Sequence, residues 1–519
     1  MLTLSLSMIV KNEEKHLARC LSSVKDVVDE IIIVDTGSTD KTIEIAESFN
    51  AKIYNFDWVN DFSAARNFAL SKCSGDWILY LDADEELNPI CIEELLKYKS
   101  HLPAGVYCIV KSLGSASTIE SVMKYPRLFA NIPGVEFAGK VHEQIIDSLR
   151  KNKIPLVESE IEIIHHGYAI DEYGLQKKKE RNLSLLLSGE NKKSNAYDKL
   201  KLIQTLISLD KYDEAEVRAN NVMNSNFITG ADLSLAIFYM AQIKYEKNDL
   251  NAANSFALKS YKKLSDKPEL NYLLYLINTR LNNISEAFKF IMLCISSNKQ
   301  LLEKKNKFES ENILDQTDLY LRAINLCLKL NKIIDAENLI TELSNYISKE
   351  KQIELENVQP FFENLFLNYS IKESDSKLVN ELINPIHLNS IAEIINLCKD
   401  DLVVLSTLNL MLQRFPESAI IYKNLAQLYF NSNQEKAVEL LNKSLQYEKD
   451  PTVYINLISI YISKSDYEGV RKCFNQLKAN CSGKPQIKQK IDILREKLNP
   501  ILTVSTTQAL QIKKYFIQL

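Results

Sequence analysis

The sequence is poor in glycine and tryptophan, and it lacks both a long apolar run and a large excess of charge of either sign. Its 519 residues include 12 glycines and two tryptophans, and 63 basic residues nearly balance 67 acidic ones. The net charge of −4 gives no support for a nucleic-acid-binding surface. No stretch approaches the roughly 18 uncharged apolar residues of a transmembrane helix, so none is predicted.

The nine cysteines include no CxxC pair, and their number is odd. Disulfide frameworks and zinc sites usually repeat cysteine at short spacing, so neither is predicted. Reduced thiols are typical of the cytoplasm. The apolar residues 2–10 have no basic leader and run directly into Lys11, so they predict a first strand rather than a signal peptide. We therefore expect a cytoplasmic protein.

Glycine and histidine, which functional loops often use, are concentrated in the first part of the chain. Nine of the 12 glycines lie at or before Gly189, and five of the six histidines lie at or before His166. Glycine permits tight loops and histidine titrates near neutral pH. Chemistry is therefore expected in the first part of the chain, and a chain of this length exceeds a single core.

The first part alternates between strand and helix patterns. Strands are predicted at 4–10, 30–35, 51–56 and 76–82, with helices between them at 13–24, 38–49 and 61–73. This order predicts an α/β, Rossmann-like, mostly parallel sheet with helices on both faces. Ligands of such sheets bind beyond the carboxyl ends of the strands. Asp35 and Asp82 stand at two of these ends.

From about residue 196 the chain is nearly all helical in pattern, and it repeats itself. Tyr422, Leu425, Tyr429 and Ala437 recur 32 residues later as Tyr454, Leu457, Tyr461 and Gly469. A period near 34 residues with helix–turn–helix content predicts tetratricopeptide-like repeats, with a generic helical bundle as the alternative. The pattern is weak between about 350 and 415, and the number and boundaries of repeats between 300 and 415 stay open. We expect an α/β domain at 1–190, repeats at 191–500, and a tail or capping helix at 501–519.

Six motifs follow one another in the first part of the chain: SMIVKNEE, IIIVDTGSTDKT, DFSAARNFAL, DWILYLDADEEL, GKVHEQI and IIHHGY. In order and spacing they resemble family 2 glycosyltransferases of the GT-A fold. They are most similar to bacterial members with C-terminal tetratricopeptide repeats, such as the sublancin-type peptide S-glycosyltransferases. The resemblance covers about residues 1–185 and implies sugar transfer from a nucleotide donor.

The acids after the fourth strand match the family's DxD motif. The resemblance implies that Asp84 ligates Mn²⁺ or Mg²⁺ on the donor diphosphate, while Asp82 contacts the ribose or, through water, the metal. It also implies that His165 is a metal ligand. The alternative is an acidic helix N-terminus, which accounts for Glu85 and Glu86 but not for two acids that close a strand.

Three further residues are implied to bind the nucleotide. Asp35 would accept a hydrogen bond from the base, which is expected to be uracil. Glu13 resembles a ribose or base contact, with a solvated acid of a first helical turn as the alternative. Arg66 resembles the family arginine near the base and phosphates, although an ion pair with Asp61 is equally open.

The motif GKVHEQI stands where the family places its catalytic acid. An inverting transferase needs one general base to take the acceptor's proton, and Glu143 is the candidate, with His142 as the alternative. A cysteine acceptor would need a weaker base, because a thiolate forms near neutral pH. The basic residues Lys177–Lys179 and Arg181 either approach the diphosphate or form a solvated helix face.

These observations predict an inverting, metal-dependent transferase that moves a sugar from a UDP donor to Cys, Ser or Thr of a peptide or protein. Repeat arrays form concave surfaces that suit a polypeptide acceptor. One alternative acceptor is a cell-envelope or lipid-linked glycan. Another alternative is an inactive repeat scaffold, which would be expected to have lost Asp35 or the DxD acids. A homodimer through the helical region is implied by resemblance only.

Overall fold

The computed structural model describes residues 2–98, 103–113, 119–166, 172–189, 196–225, 228–302, 310–371, 373–481 and 485–503. Within these ranges the chain contains nine strands, most of them in its first third. They are β1 (Leu4–Val10), β2 (Glu30–Asp35), β3 (Lys52–Asn55), β4 (Trp77–Tyr80), β5 (Glu85–Leu87), β6 (Gly105–Leu113), β7 (Ile119–Ala130), β8 (Leu156–His165) and β9 (Ser310–Asn312).

Helices alternate with the first strands and then make up nearly all of the remaining described chain. They are α1 (Leu17–Val24), α2 (Thr42–Ser48), α3 (Phe62–Leu70), α4 (Ile92–Tyr98), α5 (Ile146–Lys151), α6 (Glu172–Gly189), α7 (Ala196–Ser208), α8 (Tyr212–Met223), α9 (Gly230–Glu246), α10 (Leu250–Leu264), α11 (Pro268–Arg280), α12 (Ile284–Leu302), α13 (Gln316–Lys329), α14 (Ile333–Lys351), α15 (Leu355–Leu367), α16 (Ser376–Leu382), α17 (Leu388–Ile395), α18 (Asp401–Arg414), α19 (Ala419–Tyr429), α20 (Gln434–Tyr447), α21 (Pro451–Ser463), α22 (Tyr467–Cys481) and α23 (Pro485–Thr503).

The strands form one sheet in the order β3-β2-β1-β4-β7-β6-β8-β5, and β9 pairs with β7. Strands β1 to β4 are parallel, as the alternating pattern predicts. Beyond β4 the sheet is mixed, because β7 runs antiparallel to both β4 and β6, whereas β8 runs parallel to β6. The predicted α/β architecture is confirmed, and its parallel character belongs to the first half of the sheet.

The central strands are buried because helices cover the sheet. Strands β2 and β4 are short apolar runs that are almost fully enclosed, as expected of strands covered on both faces. The predicted face of α1, formed by Leu17, Leu21 and Val24, packs into the main core. Because parallel strands end at the same edge, Asp35 and the acids after β4 are brought to one side of the sheet.

Two compact units divide the chain. The first comprises Met1–Ile243, Phe256–Leu270 and Ser296–Leu314, and the second comprises Lys244–Ser255, Asn271–Ile295 and Asp315–Leu519. The first unit therefore includes helices α7 and α8 as well as the sheet. The proposed domain boundaries stay predictions, since residues 190–195 and 504–519 lie outside the described part of the chain.

The predicted repeat appears in the second unit as the helix pairs α19–α20 and α21–α22. Ala437 is fully buried at the small-residue position. At the equivalent Gly469, an added Cβ would lie 2.9 Å from the ring of Tyr461, so the two helices of this pair need a very small residue there. None of the helices within the described residues is both long and apolar enough to cross a membrane.

Candidate active site

Asp35 closes β2 and is held by the turn that follows it. Its carboxylate accepts hydrogen bonds from the backbone N–H groups of Gly37 and Ser38, each at 3.1 Å. Gly37 has a φ of 106°, a conformation that favours glycine. The turn therefore fixes the orientation of a buried carboxylate at the edge where ligands of such sheets bind.

Asp84 and His165 come together through the pairing of two strands. Antiparallel β5 and β8 place Glu85 opposite His165, and the Nε2 atom of His165 lies 3.2 Å from Oδ2 of Asp84. The Nδ1 atom of the same ring lies 3.1 Å from the Ser112 hydroxyl. Two motifs that are 81 residues apart in sequence thus form one carboxylate–imidazole pair.

Electrostatics reinforce this pair. Burial alone would lower the pKa of His165, but the hydrogen bond and charge of Asp84 outweigh it and raise that pKa. Burial alone would raise the pKa of Asp84, and the contact with His165 turns the shift downward. Each group therefore favours the charged form of the other.

His166 points to a different acid. Its Nε2 atom lies 3.0 Å from Oε2 of Glu86, which Arg19 also approaches at 3.7 Å. Its backbone N–H donates to the carbonyl oxygen of Asp84 at 2.8 Å. Of the two adjacent histidines, the ring that faces Asp84 is therefore that of His165.

Asp82 is enclosed by two arginines. Its Oδ1 atom accepts from Nη2 of Arg66 at 2.5 Å, and its Oδ2 atom accepts from Nη2 of Arg127 at 3.3 Å. Arg127 also donates to Glu85 at 2.5 Å. Burial would raise the pKa of Asp82, but the charges of Arg66 and Arg127 outweigh it and lower that pKa.

Arg66 joins Asp82 to the candidate base. Its Nε donates to Oε1 of Glu143, while its guanidinium lies 5.0 Å from the centre of the Tyr80 ring. Asp61 instead caps α3 by accepting the N–H of Ala64. The alternative ion pair between Arg66 and Asp61 is therefore wrong, and the buried guanidinium bridges two acids of the site.

A closed loop presents His142 and Glu143. Ala138 and Gln144 exchange two backbone hydrogen bonds of 2.9 Å, and His142 within the loop has a φ of 55°. Burial, followed by the charges of Lys201 and Lys178, lowers the pKa of His142 to about 4. His142 is thus neutral at pH 7.

Glu13 follows β1 and is half-buried beside the same acids. Burial, together with the charges of Asp84 and Asp82, raises its pKa to about 7. The alternative of a freely solvated acid is therefore wrong. The charge of Lys178 opposes this shift, which places at least one lysine of the basic start of α6 within electrostatic range of the site.

Arg127 lies in none of the six motifs, and Glu85 does not lie where the sequence predicts. Glu85 is only 2% exposed and lies in a strand, so the acidic helix N-terminus is the wrong interpretation of this residue. Arg127 is 6% exposed and stands directly before the apolar end of β7, Leu128–Ala130. An arginine beside such a run is a weak signal, because a charge buried there needs a partner.

Two solved structures align with this chain at low TM-scores. Staphylococcus aureus TarS, residues 1–349, aligns over 59% of this chain and 93% of that one, at 14% sequence identity and a TM-score of 0.26. A tetratricopeptide repeat protein of Parabacteroides merdae aligns over 57% of this chain and 98% of its own, at 11% identity and a TM-score of 0.34.

Sequence relatives are closer over shorter segments. A TPR repeat-containing protein of Synechococcus elongatus is 44% identical over 149 residues, which are 29% of this chain and 37% of that protein. The SPbeta prophage-derived glycosyltransferase SunS of Bacillus subtilis is 31% identical over 186 residues, which are 35% and 44% of the two chains. The matches thus span less than half the length of these curated relatives.

A sequence profile described as glycosyl transferase family 2 matches residues 5–137. The matched range contains the acids that end β2 and β4 as well as both buried arginines. The parallel half of the sheet and the order of the motifs agree with this match. Residues 5–137 therefore form a family 2 glycosyltransferase domain with a GT-A-like sheet, and a mostly helical region with tetratricopeptide-like helix pairs follows it.

Proposed function

We propose that this chain transfers a sugar, with inversion, from a uridine diphosphate donor to a Cys, Ser or Thr side chain of a peptide or protein. The observation that carries the proposal is the pairing of Asp84 with His165, beside Asp82, at the carboxyl end of β4. In a family 2 domain this edge is where a nucleotide sugar is expected.

The Asp84–His165 pair suits a divalent cation. Mn²⁺ and Mg²⁺ accept carboxylate oxygen, imidazole suits first-row transition metals, and such ions often take only one or two protein ligands beside substrate phosphates. Among the described residues no cluster of three or more His, Cys, Asp or Glu side chains is arranged for a metal, which fits a site completed by substrate. A bound cation would neutralise charge on the departing diphosphate.

The donor's nucleoside would lie across the ends of β1 and β2. Asp35, oriented by its turn, can accept an N–H from a pyrimidine base. Glu13 would contact the ribose as an acceptor or, given a pKa of about 7, as a donor when protonated. Arg66 brings positive charge close to the diphosphate while it holds Asp82.

Glu143 is the proposed general base. The guanidinium of Arg66 contacts both Glu143 and Asp82. The candidate base and the acid that would contact the donor are therefore fixed relative to each other. Such fixed geometry is what acid–base catalysis requires. His142, which is neutral at pH 7, remains the alternative proton acceptor.

The polypeptide acceptor is supported by the helical region. Helical repeats offer extended surfaces of the kind that bind peptides, and a TPR repeat-containing protein and the glycosyltransferase SunS are among the relatives.

The test is a screen of UDP-sugars for release of UDP, with Mn²⁺ and with EDTA, on wild type and Asp84→Asn. The matched control is Asp76→Asn. Asp76 lies just before β4, at the end of the strand opposite to Asp84, and it accepts a hydrogen bond from the backbone N–H of Thr3. We expect release with one or two donors, lost with EDTA and in Asp84→Asn but retained in the control. A wild-type rate in Asp84→Asn would overturn the metal assignment. The absence of both UDP release and metal-dependent donor binding in wild type would overturn the function.

A further inference from the structure

Arg127 lies outside all six motifs yet reaches the centre of the site. It stands on β7, next to the residues that pair with β4, and only 6% of it is exposed. Its Nη2 atom contacts Glu85 at 2.5 Å and Asp82 at 3.3 Å, and its guanidinium lies 4.4 Å from the centre of the Tyr80 ring. One buried cation thus serves two acids.

Glu85 holds Asp82 from the backbone side. Its Oε2 atom accepts the N–H of Asp82 at 2.9 Å, and its own N–H donates to the carbonyl oxygen of Asp82 at 3.0 Å. Arg127 then restrains the side chain of Asp82. Backbone and carboxylate are therefore fixed by the same buried ion pair.

Stability alone does not account for this arrangement. Removing two charges from water costs several kcal/mol per ion, and apolar replacements of buried ion pairs are often neutral or stabilising. What the Glu85–Arg127 pair supplies is a fixed orientation of the Asp82 carboxylate. Each oxygen of Asp82 faces a different guanidinium, so the carboxylate cannot rotate without losing one contact.

We propose that Arg127 is a positioning residue for the sugar transfer. Together with Glu85 it holds the Asp82 carboxylate in the orientation that contacts the donor. The alternating chain Glu85–Arg127–Asp82–Arg66–Glu143 then transmits this restraint to the candidate base. The inference rests on the proposed function and adds a residue to its site.

The test is a double-mutant cycle between Arg127→Gln and Asp82→Asn, read as the affinity for UDP with Mn²⁺ by calorimetry. Loss of a residue that orients a site ligand typically costs roughly 10–100-fold. We expect Arg127→Gln to weaken UDP binding by that factor in wild type but by less than about threefold in Asp82→Asn, because coupled residues are not additive. Arg127→Lys should recover part of the loss.

Two controls separate positioning from folding. Arg19→Gln removes an exposed arginine beside Glu86 and should leave UDP binding unchanged. The double variant Glu85→Gln, Arg127→Gln removes both buried charges, so it should fold even if Arg127→Gln alone does not. Its affinity for UDP should remain weakened.

Equal losses in both backgrounds would overturn the inference, as would wild-type affinity in the double variant. If wild type binds no uridine nucleotide, the proposed function fails separately. A crystal structure of the Glu85→Gln, Arg127→Gln protein then decides the inference. An unchanged Asp82 carboxylate would overturn it, and a rotated one would uphold it.

Discussion

Asp82 and Asp84 are separated by a single residue, yet they lie in different surroundings. Asp82 faces two permanently charged guanidinium groups, those of Arg66 and Arg127. Asp84 faces the imidazole of His165. One acid is neutralised by the protein itself, whereas the other is paired with a group that can lose its proton and act as a ligand.

This difference assigns different work to the two acids. Arginine stays protonated under all ordinary conditions and does not ligate metals, so Asp82 has fixed partners. Neutral imidazole is a common metal ligand, and a cation between Asp84 and His165 would replace the proton that they share. A metal response is therefore expected on the Asp84 side, and an orienting role on the Asp82 side.

The largest expected effect comes from removing the charge on the Asp84 side. Asp84→Asn should abolish Mn²⁺ binding to the UDP complex and lower turnover by roughly a thousandfold or more, since charge neutralisation by the metal is worth several kcal/mol. Asp82→Asn should keep Mn²⁺ binding but weaken UDP. Manganese titrations followed by paramagnetic resonance measure both, and equal loss of Mn²⁺ in the two variants would break the comparison.

Glu143→Gln tests the candidate base, which Arg66 connects to Asp82. Loss of a general base should slow transfer to a serine or threonine acceptor by roughly 10²–10⁴-fold and leave UDP affinity nearly unchanged. Transfer to a cysteine acceptor should suffer less, because a thiolate is accessible near neutral pH. Initial rates with matched peptides measure this, with Glu158→Gln as the control for an exposed glutamate. Unchanged rates with every acceptor would move the base elsewhere.

Arg66→Gln tests how much the permanent charges around Asp82 contribute to the stability of the fold. It leaves Glu143 without its ion-pair partner and Asp82 with Arg127 alone. Breaking a buried pair usually costs about 3–5 kcal/mol, and the lower end is expected here because Arg127 remains.

Urea unfolding followed by circular dichroism measures the loss for Arg66→Gln. Adding Glu143→Gln should restore part of it, since one of the stranded charges is then removed. A free energy of unfolding equal to that of wild type would show that the cation at this position is dispensable for the fold.

The sequence predicted the parallel part of the fold better than the mixed part. Buried parallel strands are continuous apolar runs, so β2 and β4 and the acids that end them can be located from pattern alone. The antiparallel pairing that brings His165 to Asp84 leaves no such local mark, and that pair was expected only by resemblance. Arg127 belonged to no motif, because its role depends on Glu85 and Asp82, which meet it only in the folded chain.

The smallest expected effect is a difference between the pKa values of two histidines, His165 and His142. The acid beside His165 raises its pKa, whereas burial and the lysines Lys201 and Lys178 lower that of His142 to about 4. NMR titration of ring-labelled, metal-free protein should therefore find one histidine above the ordinary value of about 6.5 and one well below it. His142→Gln and His165→Gln assign the two signals.

The shift of His142 also fixes the sign of a stability effect. Its folded pKa lies below the unfolded value, so its contribution is fully present above pH 6.5 and is lost as the pH falls from 6.5 toward 4, by at most about 1.4 kcal/mol per pH unit. His142→Gln should be less acid-sensitive than wild type in that window. A His142 titration near 6.5 would instead mean that the loop holds the imidazole in water. Its pKa would then lie near the operating pH, where a general base is most effective, and His142 would gain support as the alternative to Glu143.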